Sequence, residues 1–99
     1  MKENYSGQAL GIFELDNLVA CYVALDAASK AADVKIQGVE RNRLKAGACV
    51  KMRGDISNVN AAMEVALKVA EPLATIVSST VIASPTEGTD VAMEMTINK

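Results

Sequence analysis

The chemistry open to this chain is set first by what its 99 residues lack. There is no histidine, the side chain that most often moves protons near neutral pH. Two cysteines without histidine cannot build the usual tetrahedral zinc sets, and Cys49 has no base beside it in sequence to make a nucleophile. Glu14 and Asp16 read as a strand end and a helix cap. Asp26 and Lys30, four residues apart, read as a helix-surface ion pair. The glycine patterns that cradle phosphates are absent. No catalytic residue, metal site or cofactor is expected.

What does stand out is positive charge. Five of the ten basic residues (Arg41, Arg43, Lys45, Lys51 and Arg53) fall between positions 41 and 53 with no acid among them. Their centre is a short polar segment, Arg41, Asn42, Arg43, Leu44 and Lys45. A formal net charge of −2 argues against a general nucleic-acid binder, and no aromatic stacking residues accompany these cations. Arg53-Gly54-Asp55 reads as a strand end, a turn and a helix cap rather than an adhesion motif.

The elements around that segment follow from periodicity. Ala9–Phe13 is a short apolar strand whose Gly11 suggests a close backbone approach. Asp16 is placed to cap a helix from Asn17 to Ala32, with Leu18, Cys21, Leu25, Ala28 and Ala32 on one stripe. Val19, Tyr22 and Val23 widen its apolar surface, which fits either a subunit contact or a partly exposed alanine-rich helix. Val34 and Ile36 alternate with Lys35 and Gln37. Ala48, Val50 and Met52 alternate with Cys49, Lys51 and Arg53. Both runs are expected to be strands with one covered and one wet face. Asp55 caps a second helix, Ile56–Ala70, buried through Val59, Ala62, Met63, Ala66 and Ala70. Pro72 ends it, and Leu73–Ile82 reads as the last main strand. In the tail, Thr89–Ile97, apolar and polar residues alternate, favouring a strand.

The order β-α-β-β-α-β is the ferredoxin-like arrangement of the α+β class: a four-stranded antiparallel sheet, two helices on one face and the other face open. One domain is expected, over residues 9–92, with a frayed tail at 1–8 and a variable one at 93–99. Half of the chain is hydrophobic but only Tyr5, Phe13 and Tyr22 are aromatic, so the core is aliphatic and modest, and oligomerisation would reinforce it. No run approaches the roughly 18 apolar residues of a membrane span, and Met1–Gln8 has no signal-peptide pattern. The cysteines read as reduced thiols of a cytosolic protein.

Four segments carry a family resemblance: ALGIFE at Ala9, ALDAASKAADV at Ala24–Val34, MRGDI at Met52–Ile56, and TVIASP at Thr80–Pro85. In order and spacing the chain resembles bacterial microcompartment shell proteins of the single-domain type. The resemblance implies a structural protein, localised to a microcompartment shell in the cytoplasm. Its homo-hexamers would tile with other shell proteins around encapsulated enzymes. It implies an axial pore for small polar metabolites, lined by the loop at 41–47, here Arg41, Asn42, Arg43, Leu44 and Lys45, whose positive charge would favour small anionic metabolites. It places Lys30 at the hexamer–hexamer edge. Two departures stand out. The loop is basic and one residue longer than the family's Gly- and Ser-rich loop, and Ser84 stands where many members carry an arginine. Neither nucleic acid nor membrane is expected as a partner. A small-molecule-sensing regulatory module with the same strand order is the alternative.

Overall fold

In the computed structural model, which describes residues 4–42 and 46–98, the first strand, β1 (Ala9–Leu15), decides where the core lies. Ala9, Phe13 and Leu15 are buried on one face, with Gly11 between them. Antiparallel to β1 runs β3 (Ala48–Gly54), so that Gly11 faces Met52, Phe13 faces Val50, and Leu15 faces Ala48. The edge strands are β2 (Lys35–Arg41), beside β3, and β4 (Ile76–Ile82), beside β1, giving the antiparallel order β2-β3-β1-β4. The expected ferredoxin-like sheet is present.

Two helices cover this first face. In α2 (Ile56–Ala70) the buried stripe is Val59, Ala62, Met63, Ala66 and Ala70, as the spacing predicts, and the Asp55 carboxylate accepts the Asn58 N–H as N-cap. In α1 (Leu18–Ala31) the buried residues are Ala20, Cys21, Ala24 and Ala28. This stripe is rotated from the expected one. Alanines allow α1 and α2 to lie close, so the smallest residues take the contact while Leu18, Leu25 and Ala32 sit at its margin. Val19, Tyr22 and Val23 are 72%, 54% and 44% exposed, a large apolar surface for one short helix.

Four further expectations need correction. Asp16 does not cap α1. Asn17 does, accepting the Ala20 N–H at 3.0 Å, while the Asp16 carboxylate accepts the Thr75 N–H at 2.9 Å and ties β1 to the approach of β4. That approach is turn from Glu71 to Ala74, so β4 begins at Ile76 rather than Leu73. The tail is a helix, α3 (Glu87–Ile97), not a strand. Thr86 accepts the Thr89 N–H at its start, and Glu87 and Asp90 lie in the first turn, where the helix dipole favours acids. Lastly, the second face of the sheet is covered over β3, although Ser78 and Thr80 of β4 stay exposed on it. Lys51 and Arg53 are 6% and 1% exposed, and Asp90 of α3 and the carbonyl of Gln8 reach Arg53 on that face.

Gly11 is where α2 presses on β1. A Cβ there would lie 2.9 Å from Met52 Cγ, 2.9 Å from Val59 Cγ1 and 3.0 Å from Met63 Cγ. Gly11→Val is expected to lower stability by about 1–3 kcal/mol through overpacking. Urea unfolding is the measurement, and an unchanged midpoint would mean that α2 shifts at no cost.

Candidate functional site

The loop between β2 and β3 begins from a tightly tied root. Arg41, the last residue of β2, is paired with Ala48 and exposed. Asn42 is half-buried, and its backbone N–H donates to Gly47 O at 2.8 Å. Leu18, first residue of α1, donates its N–H to Ala46 O at 2.7 Å. Gly47 lies against β1 so closely that a Cβ would sit 2.0 Å from Leu15 O, which leaves glycine as the residue that fits. The Asn42 side-chain amide donates to the Glu14 carboxylate. Arg43, Leu44 and Lys45, expected to line a pore together with Arg41 and Asn42, lie outside the described residues.

The structure splits the basic run. Lys51 Nζ is bonded to the Glu40 carboxylate, and both are in the sheet. Arg53 donates from Nε to Gln37 Oε1 at 2.7 Å and from Nη1 to Gln8 O at 3.0 Å. Its Nη2 stands 2.8 Å from Asp90 Oδ1 in a largely buried ion pair. Asp90 Oδ2 accepts the Gly7 N–H at 3.1 Å. Burial alone would raise the Asp90 carboxyl, but the Gly7 N–H and the Arg53 guanidinium outweigh it and hold it below its ordinary range. Lys51 and Arg53 are therefore structural, not part of a solvated basic patch.

Lys30 lies in the last turn of α1, exposed, with its Nζ 2.7 Å from Asp26 in the expected surface pair. Ser84 is exposed beyond β4, whose Ile82 pairs with Leu10 near the start of β1. The 14-residue α1 starts beside Ala46 and ends about 20 Å away at its helical rise. The two proposed edge residues thus lie at the end of the domain opposite the loop.

Cys21 is buried with its Sγ 3.5 Å from Ala48 O, and Cys49 is half-buried between its cross-strand partners Glu14 and Glu40. Burial pushes both thiols up, in Cys49 against the partial offset of Lys51, so neither is an activated nucleophile. Sequence reasoning missed the roles of Glu14, Arg53 and Asp90. The available signal was period two, which puts Glu14, Cys49, Lys51 and Arg53 on one sheet face and requires partners for whichever of them is covered.

Comparison with known proteins yields a consistent set of similarities. The family model of the BMC domain matches residues 9–85. The bacterial microcompartment shell protein EutM of Salmonella typhimurium strain LT2 is 39% identical over 79 residues, covering 79% of this chain and 80% of its own. EutM of Escherichia coli strain K12 is also 39% identical over 79 residues. The shell protein PduK of Citrobacter freundii is 28% identical over 81 residues, 82% of this chain and 52% of its own. A crystal structure of a microcompartment protein from Desulfitobacterium hafniense superposes with a TM-score of 0.80 over 91% of this chain and 51% of that chain. At 23% identity that last likeness establishes the shared fold.

Because the Asp90 carboxyl titrates below its ordinary value of 3.8, its contribution to stability is complete above that value and disappears as pH falls through the lower folded value. Asp90→Asn is expected to cost about 1.5–3 kcal/mol at neutral pH, the range for a charge-assisted contact. Wild type and variant should then converge as the medium becomes acidic enough to protonate Asp90. Melting curves taken from neutral to strongly acidic pH test this; a gap that stays constant would mean that Asp90 is not the titrating group.

Proposed function

The chain belongs to the BMC-domain family, and from that premise we propose that it is a structural building block of a bacterial microcompartment shell. The unit is a hexamer, assembled with other shell proteins around enclosed enzymes in the bacterial cytoplasm. Residues Arg41, Asn42, Arg43, Leu44 and Lys45 line a pore on its six-fold axis. Lys30 and Ser84 lie at the contact between neighbouring hexamers. The observation that carries this reading is that the loop's root, at Ala46, and Lys30 lie at opposite ends of α1 in a domain 34 Å long. A wedge arranged this way, repeated around an axis, brings the loop to the centre and Lys30 to the perimeter. The exposed Val19, Tyr22 and Val23 supply apolar surface for contact between neighbours in a closed ring. The regulatory-module alternative gains nothing from the relatives, which are shell proteins.

With Lys51 and Arg53 paired inside the sheet, the loop's own cations Arg41, Arg43 and Lys45 set the pore's charge. Six copies gathered in a confined, partly desolvated place repel one another more strongly than on an open surface. Small anions, such as carboxylates or phosphates, relieve that repulsion and are favoured over cations.

Sedimentation is expected to give a hexamer, and a stable monomer at micromolar concentrations would overturn the assembly. Lys30→Ala is expected to keep the hexamer but reduce the extended sheets seen by electron microscopy; sheets as large as wild type's would leave Lys30 a plain surface charge. Phosphate is expected to raise the melting temperature of wild type by several degrees more than that of Arg43→Ala. Equal gains would remove Arg43 from the pore.

A further inference from the structure

Glu14 is not on the loop. It lies near the end of β1, half-buried, on the sheet face away from α1 and α2, across from Cys49 of β3 and Ser78 of β4. Its carboxylate accepts the side-chain amide of Asn42, the first residue beyond β2. From the other face, α1 holds the far side of the same root through the Leu18 N–H and Ala46 O, while Gly47 is wedged against the backbone of Leu15. Asn42 and Gly47 close the hairpin between them. The root is therefore gripped from both faces of the sheet, and a span of three residues, 43–45, joins the two held points.

Of these ties, the one through Glu14 alone depends on an ionisable side chain. A carboxylate acceptor makes a hydrogen bond roughly twice as strong as a neutral one. It also places a negative charge beside a residue flanked in sequence by Arg41 and Arg43, where it opposes the outward push of repelling cations. A small or apolar residue at position 14 would remove both effects while leaving the backbone pairing of β1 intact.

We propose that Glu14 is a positioning residue for the pore: through Asn42 it fixes the root from which the loop presents its cations to a small permeating anion. This deepens the pore reading and rests on it.

Two measurements on the assembled protein separate the proposal from that reading. The first is hydrogen exchange at the Asn42 and Leu18 amides. Glu14→Ala is expected to speed it about tenfold, as losing one charge-assisted hydrogen bond implies, without changing exchange in α2. Glu14→Gln keeps an acceptor but not the charge, and is expected to exchange at a rate between those of the alanine variant and wild type. The second is the phosphate-dependent gain in melting temperature, which Glu14→Ala should lose and Glu14→Gln retain only in part. Should Glu14→Ala fail to fold, Asn42→Ala removes the same contact from the other side and takes its place. Wild-type exchange rates in the alanine variant overturn the positioning role. Faster exchange in that variant, with a wild type indifferent to phosphate, upholds the tie at the root and overturns the anion pore.

Discussion

A guanidinium cannot shed its charge inside a protein, and Arg53 is 1% exposed. Every element near it has to answer that charge. Gln37 comes from β2, the Gln8 carbonyl from the segment before β1, and Asp90 from α3. Each of the three would be free to lie elsewhere without it. For α3 the dependence is strongest, since that helix has no fully buried residue of its own. Beyond the Arg53 pair, it touches the sheet through Ile97, which packs where Gly38 leaves room. Burying a charge is costly unless its partners are in place, so the groups around Arg53 depend on one another.

The first face solves the opposite problem. It has no charge to satisfy but little apolar volume to bury, because so many of its side chains are alanine. Close approach replaces bulk: α1 lies on α2 through alanines, and α2 lies on β1 over Gly11. A core of this kind leaves larger residues at its margins and on the outer side of α1. The same alanines that bring the layers together thereby leave Val19, Tyr22 and Val23 without cover inside one chain. Shell proteins are among the relatives of this domain, and such a surface suits the assembly proposed above.

The order of strands and helices, the stripe of α2 and its Asp55 cap were legible because each rests on local periodicity and one capping carboxylate. Close packing at Gly11 was legible for the same reason: a glycine inside an apolar strand asks for a neighbour. The tail was not. Seven residues from Val91 to Ile97 alternate well enough for a strand, and the decisive signal lay before them, in Thr86 with Glu87 and Asp90 behind it. Nor could the sequence tell that the wet face of β3 is dry, because the groups that cover it come from residues 45 before Arg53 and 37 after it. Asp16 illustrates the same limit at short range. Its carboxylate had a helix start one residue away and serves Thr75 instead, since Asn17 already fills the cap.

The Gly7–Asp90–Arg53 junction also gives the domain a direction. Tyr5 and Glu94 border one cleft above Gln37 and Arg53, on the side of the sheet turned away from α1 and α2. The segment before β1 and the helix α3 therefore lie on the same side of the sheet. In the proposed ring, where copies are related by rotation about one axis, every copy would turn that side the same way. Labels attached at Tyr5 and at Glu94 would then mark one and the same surface of that ring and leave the other bare.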